Sequence, residues 1–350
     1  MPVSPNIVRR WVIGIGLGTL IIGITSPPFV RSFLPNEVNR GVPTLPAGYD
    51  YRWRQEGYAT THVGPFGMPG RTGPVTDIPA GTFRIAIWGD SQAEGVAVAD
   101  EQKWFAEIER VSIQRARDVP VAAFPLARSG DAIGDWLAQI PWAEKELGVD
   151  AHVFLIVDLP DLADGSPPDP PTQGKLKGFS AQVPAFVTQG AQHLIRNPDG
   201  TRRTLRFRPG PLDAETTSKT AASTNAVKQA GQTSDQVALI LTQLRRLDQI
   251  ATVPVWIVYA PPRPTIVSGK LIWDDPSADA FAAVRESSPE SIQWIDATEL
   301  LADSARRGQY PHGFHNGRIG VGHLNPIGYR ILAKALVDAG SLLPMRRRFQ

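Results

Sequence analysis

Between residues 83 and 339 the apolar positions follow two alternating rhythms. Phe83–Trp88 is a short apolar run closed by Gly89 and Asp90, the pattern of a strand buried on both faces. Trp104–Ile113 has apolar residues at helical spacing, Val119–Phe124 reads as a second strand, Ile133–Leu147 as a second helix, and His152–Val157 as a third strand. After an interval the alternation resumes. A helix is expected over Ser234–Leu247, a strand over Val253–Ala260, a helix over Ala278–Arg285 and a strand over Ser291–Ile295. A closing helix over Pro326–Ala339 places Ile327, Ile331, Leu332 and Leu336 on one stripe. Strands that alternate with helices predict a parallel sheet covered on both faces, so residues 81–345 are expected to form a doubly wound, flavodoxin-like α/β domain.

The interval, residues 159–230, holds a Pro/Gly/Asp cluster (Asp164–Gly174) and then a Thr/Ser/Ala-rich stretch (Glu215–Thr224). A structureless loop of that length is out of place in a compact domain, so it reads as an insertion over one face. Residues 31–80, rich in Pro and Gly with scattered aromatics, read as a stalk and an irregular wrap on the domain surface. No internal repeat is visible.

The N-terminus carries an uncharged apolar run, Trp11–Thr25, that continues to Val30 and is preceded by Arg9 and Arg10. A spanning helix needs roughly 20 apolar residues. Residues 1–30 are therefore read as a single-pass anchor in the inner (cytoplasmic) membrane, which it contacts through residues 11–30. The two arginines hold the N-terminus in the cytoplasm and place the domain on the periplasmic, extracytoplasmic side. A cleaved signal peptide is the rival reading, although no small-x-small site follows the run.

Composition then narrows the chemistry. The 350 residues include no cysteine, which excludes disulfides, thiolate catalysis, Cys-ligated zinc and a lipoprotein anchor. The 32 glycines and 32 prolines point to long loops. A net charge of +2 gives no reason to expect nucleic acid, and Arg346–Arg348 read as a solvated tail. Gly14, Gly16 and Gly18 fall inside the apolar run and form no phosphate loop. No cofactor is expected. His312 and His315 have metal-like spacing but no carboxylate-rich companion, so no metal is expected either.

In a parallel sheet, sites form beyond the carboxyl ends of the strands. Ser91 lies three residues past the first predicted strand, where a hydroxyl and its own N–H can face the crevice, as a nucleophile with part of an oxyanion hole requires. Taken alone, the turn equally accommodates Ser91 as a helix cap. A serine nucleophile needs a base, and His323 stands in Gly322-His323-Leu324-Asn325-Pro326, ahead of the closing helix that Asn325 and Pro326 are suited to start. Asp90 reads as a turn residue bonding its own loop, and Glu94 as a brace for the following helix. Arg128 and Arg318 read either as receivers of an anionic or sugar substrate or as surface residues.

Four segments together resemble the SGNH (GDSL-like) hydrolase superfamily, in its bacterial membrane-anchored branch: Ile85–Gly95 with Gln102–Phe105, Leu126–Gly130, Val255–Pro262, and Gly322–Pro326 with Gly328 and Tyr329. The resemblance covers about residues 80–340. It implies Ser91 and His323 as the catalytic pair, and the main-chain N–H groups of Ser91 and Gly130 as oxyanion donors. It also implies an acyl esterase or O-acyltransferase acting on an acylated, in particular acetylated, cell-surface or exported carbohydrate.

Two positions depart from that pattern. Where the family places an oxyanion asparagine after the third strand, the segment Val157–Leu162 has Pro160, which lacks both a side-chain donor and an N–H. Where the family places the acid, three residues before the histidine, stands Gly320. Asp161, Asp164 and Asn316 are the candidate substitutes as acid or orienting group. The departures support a second reading, a catalytically degenerate domain serving as a binding or scaffold subunit of a membrane assembly.

Overall fold

The computed structural model describes residues 5–25, 37–53, 56–115, 119–166, 222–267, 270–317 and 319–339. An apolar helix α1 (Pro5–Thr25) comes first. Its window Pro5–Ile22 is long and apolar enough to cross a membrane, and none of it is buried against the rest of the chain. The last part of the expected anchor, residues 26–30, lies outside the described residues.

Residues 31–80, read as stalk and irregular wrap, contain regular structure. Strands β1 (Glu37–Asn39) and β2 (Val42–Thr44) pair antiparallel, as do β3 (Asp50–Trp53) and β4 (Ala59–His62). The second hairpin is fixed by Tyr51 and Val63, which pack with Val96 and Ala97, and with Trp53 and Phe314 at the margin. His62 Nδ1 meets Asp100 Oδ2 at 2.7 Å.

The alternating elements follow: β5 (Phe83–Trp88), a one-turn helix α2 (Ser91–Glu94), α3 (Trp104–Gln114), β6 (Val121–Pro125), α4 (Ile133–Trp142) and β7 (Ala151–Ile156). Most of the expected insertion, residues 167–221, lies outside the described residues. Its end does not: α5 (Ala222–Ile250) begins well before the expected helix start at Ser234. Next come β8 (Val255–Tyr259), the hairpin β9 (Thr265–Val267) and β10 (Lys270–Ile272), α6 (Ala278–Ser287), β11 (Ile292–Asp296), α7 (Thr298–Arg306) and α8 (Pro326–Asp338).

Five strands form one wholly parallel sheet in the order β11-β8-β7-β5-β6. Its side chains alternate between two cores, as the pleat requires. Ile85, Ile87, Val153 and Leu155 point to the layer built by α3 and α8, where Trp104, Ile108, Leu332 and Leu336 meet them. Ala86, Trp88, Phe154 and Ile156 point to the opposite layer, where α4 and α5 supply Trp136, Ile140, Ile240 and Leu244. This is the doubly wound α/β arrangement. Chain connections leave β5 in one direction and return past it to β7, which makes the carboxyl ends of these two strands the switch point where such sheets open a crevice.

Candidate active site

Ser91 is the first residue of α2, immediately beyond β5 at that switch point. Asp90 caps the turn by accepting the Gln92 N–H at 2.9 Å, and its second oxygen lies 3.3 Å from Ser91 Oγ. Asp90 therefore bonds its own loop, as expected. The first N–H groups of a helix have no intrahelical carbonyl to meet, so the Ser91 main chain retains a donor at this end.

His323 is brought to Ser91 across 232 positions of sequence, with Nε2 3.0 Å from Oγ. Two further contacts tie the histidine loop to the serine turn. The Leu324 N–H donates to Gln92 Oε1 at 2.9 Å, and the buried Tyr329 hydroxyl donates to the Gln92 carbonyl at 2.5 Å. Asn325 accepts the Ile327 and Gly328 N–H groups, and its amide donates to the Tyr310 and Gly313 carbonyls. The asparagine cap and first-turn proline expected from sequence thus set the start of α8.

None of the three expected orienting groups touches the imidazole. Asp164 accepts the Ser166 N–H at 3.1 Å. Asn316 uses both ends of its amide on Gly57, accepting its N–H at 2.8 Å and donating to its carbonyl at 2.9 Å. Asp161 instead feels the repulsion of the Asp90 and Asp158 carboxylates. Burial, reinforced by those two carboxylates, pushes its carboxyl up to about 7, and burial also raises Asp90. Gly320 spends its N–H on the His312 carbonyl.

The group that reaches His323 is Glu56, on the connection between β3 and β4. Its Oε2 lies 3.3 Å from Nδ1, and its Oε1 accepts the main-chain N–H of His323. Both side chains are 19% exposed. The approach depends on the absence of a side chain at Gly322, where a Cβ would stand 2.5 Å from Glu56 Oε1 and 2.6 Å from Oε2. It also depends on Gly57, whose Cβ would stand 2.1 Å from the Ala97 carbonyl oxygen at a φ of +66°. Trp53, on the same hairpin, sets its ring edge-on to His323 with centroids 6.1 Å apart. Sequence reasoning missed Glu56 because nothing around it marks a site. The one available signal was the glycine at position 320, which forces any acid to come from elsewhere in the chain.

Other expected roles change as well. Glu94 does not brace α3. Buried in the interior, it accepts from the Tyr51 hydroxyl on one oxygen and from the Ser129 N–H and hydroxyl on the other. It thereby pins the loop before Gly130 to the β3–β4 hairpin. Arg128 is held by Asp131 at 2.6 Å, Asp135 at 3.4 Å and the Pro43 carbonyl. His312 is fully buried with no hydrogen-bond partner on either ring nitrogen, while His315 is exposed. Arg318 lies outside the described residues. Pro160 sits in the short helical turn Leu159–Leu162 after β7.

A serine hydroxyl, an imidazole and a carboxylate in one hydrogen-bonded line can activate the hydroxyl as a nucleophile and hold the imidazolium that results. No family model matches the chain, and no curated protein matches it. Among solved structures it is similar to the acetyl xylan esterase AlAXEase (11% identity, 73% of this chain and 99% of that one, TM-score 0.37). It is also similar to a lipase/acylhydrolase from Enterococcus faecalis (13%, 74% and 95%, TM-score 0.36). A third similar structure is a catalytic mutant of Axe2, an acetylxylan esterase from Geobacillus stearothermophilus (12%, 75% and 95%, TM-score 0.37).

Proposed function

We propose that this chain is a membrane-tethered serine enzyme of ester chemistry, with Ser91 as nucleophile, His323 as general base and then general acid, and Glu56 as the group that orients and charge-balances the histidine. The observation that carries the reading is the continuous contact from Glu56 through both ring nitrogens of His323 to Ser91 Oγ. Ser91 Oγ attacks the ester carbonyl carbon while Nε2 takes the hydroxyl proton. The main-chain N–H groups of Ser91 and Gly130 receive the oxyanion. The carbon–oxygen bond to the alcohol then breaks, and Nε2 returns its proton to the departing alkoxide. Water or a second hydroxyl attacks the resulting acyl-serine by the same steps in reverse, so hydrolysis and transfer share one intermediate.

The acyl group and its carrier are assigned as acetyl on a cell-surface or exported carbohydrate, on the strength of the sequence resemblance. The apolar helix α1, with Arg9 and Arg10 ahead of its longest apolar run, supports a site on the extracytoplasmic side. Pro160 supplies no amide donor, and loss of one oxyanion donor costs about 10²–10³ in rate, so turnover is expected to be slow.

The test is labelling of the full chain with a fluorophosphonate, which reacts only with an activated serine. Labelling is expected in the wild type and absent in Ser91→Ala and His323→Ala. An unlabelled wild type, with the fold intact by circular dichroism, would instead favour the scaffold reading that Pro160 and Gly320 first suggested.

A further inference from the structure

Lys103 is a lysine in the interior, 1% exposed, immediately ahead of α3. It does nothing for that helix. Lys103 is the N-cap residue of α3 but its side chain makes no capping bond, and a cation there faces the positive end of the helix dipole. Burying an ammonium is costly unless its charge and protons find partners. The carboxylate that approaches it, Asp100 Oδ1, stops 4.0 Å away. Burial pushes the amine down to about 8, against the pull of Asp100 and Glu94. A methionine would fill the same space without that cost, so the reason for the lysine lies in the groups its protons reach.

Those groups belong to α2, the single turn on which Ser91 stands. Lys103 Nζ donates to the Gly95 carbonyl at 2.7 Å and to the Glu94 carbonyl at 3.1 Å. Two glycines clear the path of its stem. A Cβ at Gly95 would lie 3.1 Å from Lys103 Cγ, and one at Gly70 would lie 2.9 Å from Cδ, at φ values of +69° and +88°. An isolated turn of helix has little stability of its own. The Glu94 carbonyl and the Gly95 N–H form one planar peptide unit, and that N–H donates to the Ser91 carbonyl at 3.1 Å. Two hydrogen bonds through one rigid plate therefore run from Lys103 to the Ser91 main chain.

The side chain of Glu94 carries a second arm. It accepts from the Tyr51 hydroxyl and from the Ser129 N–H, the latter at 2.7 Å, and Ser129 directly precedes Gly130. The Ser91 and Gly130 main chains thus both hang from Glu94, one through its carbonyl peptide and one through its carboxylate. We infer that Lys103 is a positioning residue of the ester reaction: by clamping Glu94 and Gly95 it sets the spacing of the Ser91 and Gly130 N–H groups that receive the oxyanion. The inference rests on the ester reading of Ser91, His323 and Gly130. Pro160 brings no side-chain donor to replace a misplaced N–H, so the spacing of these two groups carries more weight.

The full chain is compared with Lys103→Met, which keeps the stem and removes donors and charge, and with Lys103→Gln, which keeps a neutral donor on a shorter stem. Turnover of p-nitrophenyl acetate gives kcat and KM. Inhibition by phenylboronic acid reports the tetrahedral adduct on Ser91, in which a boronate oxygen takes the oxyanion position. A misplacement of about 1 Å can cost about 10² in rate, so kcat in Lys103→Met should fall about 10- to 10²-fold. KM should stay within about twofold, the inhibition constant should rise by the factor that kcat loses, and Lys103→Gln should lose less. Hydrogen exchange needs no turnover, and the Gly95 amide should exchange about tenfold faster in Lys103→Met. The positioning role is overturned by a folded Lys103→Met whose kcat stays within about threefold of wild type, by a loss carried in KM, or by unchanged exchange at Gly95. Failure of both variants to melt cooperatively overturns it too, since the lysine would then be a requirement of the fold. Fluorophosphonate labelling separates the two readings. A labelled wild type with an indifferent Lys103→Met sinks the clamp alone, and an unlabelled wild type sinks the ester chemistry and the oxyanion role with it.

Discussion

Replacing Glu56 with glutamine changes one atom and reverses the logic of the histidine. The glutamine carbonyl can still accept the His323 main-chain N–H that Oε1 accepts now. Its amide then faces Nδ1 as a donor, so the ring must present a lone pair there and carry its proton on Nε2. In that tautomer the nitrogen 3.0 Å from Ser91 Oγ cannot take a proton. The same inversion in a serine triad costs about 10⁴ in kcat. Here the loss should be smaller, because a strong charge-assisted bond is about 2.7–2.9 Å long and this contact is 3.3 Å between side chains that are 19% exposed. A fall of about 10²–10³ in kcat is expected, about 2.7–4 kcal/mol at 1.36 kcal/mol per tenfold. KM should not move, since Glu56 faces the histidine and not the substrate. The assay is p-nitrophenyl acetate turnover, with fluorophosphonate labelling rate as a second readout and the melting temperature as a check on the fold. A fall in kcat of less than threefold, in a protein that melts as the wild type does, would refute the positioning role.

Three other perturbations bear on the same architecture. Gly322→Ala leaves every polar group of the line in place but sets a Cβ 2.5 Å from Glu56 Oε1, so kcat should fall about as far as in Glu56→Gln, while Gly320→Asp should restore nothing in that background. Asp161, pushed up to about 7, is neutral in acid and gains charge as pH rises through that value; this charge repels a nearby oxyanion, so kcat/KM should decline on the alkaline side, and Asp161→Asn should flatten that decline. His312 is held down to about 3 by burial, so between that value and its ordinary 6.5 the unfolded chain binds the extra proton; stability should fall as pH drops through this window, and His312→Phe should remove that slope in melts taken from pH 7 to pH 4.

The sheet and its flanking helices were legible because each strand is an unbroken apolar run and each helix shows its stripe. Phe83–Trp88 coincides with β5, and Pro326–Ala339 with α8 to within one residue. The hairpins were not legible for a physical reason: β1 to β4 are three or four residues long, too short for alternation to register, and the β3–β4 pair is stabilised by docking onto Val96 and Ala97. The early turns of α5 were masked by Ser, Thr and Asn, which compete with helix in isolation, whereas Ile240, Leu244 and Leu247 further along bury against the sheet. At the site, Ser91 and His323 could be found because each sits where an element begins, beside residues whose turn chemistry is readable. Glu56 could not, because its placement comes from Gly57, Gly322 and Asn316, three contacts that exist only after the chain has folded.

The position of that glutamate so early in the chain sets a working distance. If α1 lies in a bilayer, only the twelve steps of chain from Thr25 to Glu37 separate the membrane-facing helix from the first hairpin strand. At full extension they reach roughly 40 Å. The hairpins are bound to the sheet domain through Tyr51, Glu56 and His62, so Ser91 cannot drift beyond that leash plus its own separation from Glu37 within the domain. An ester carried by a long polymer is therefore met only where the polymer passes close to the membrane surface, and a freely diffusing ester is met only within the same thin shell. Lengthening residues 26–36 with a flexible insert would widen the shell without touching the reacting groups. That would separate how far Ser91 can reach from how fast it reacts.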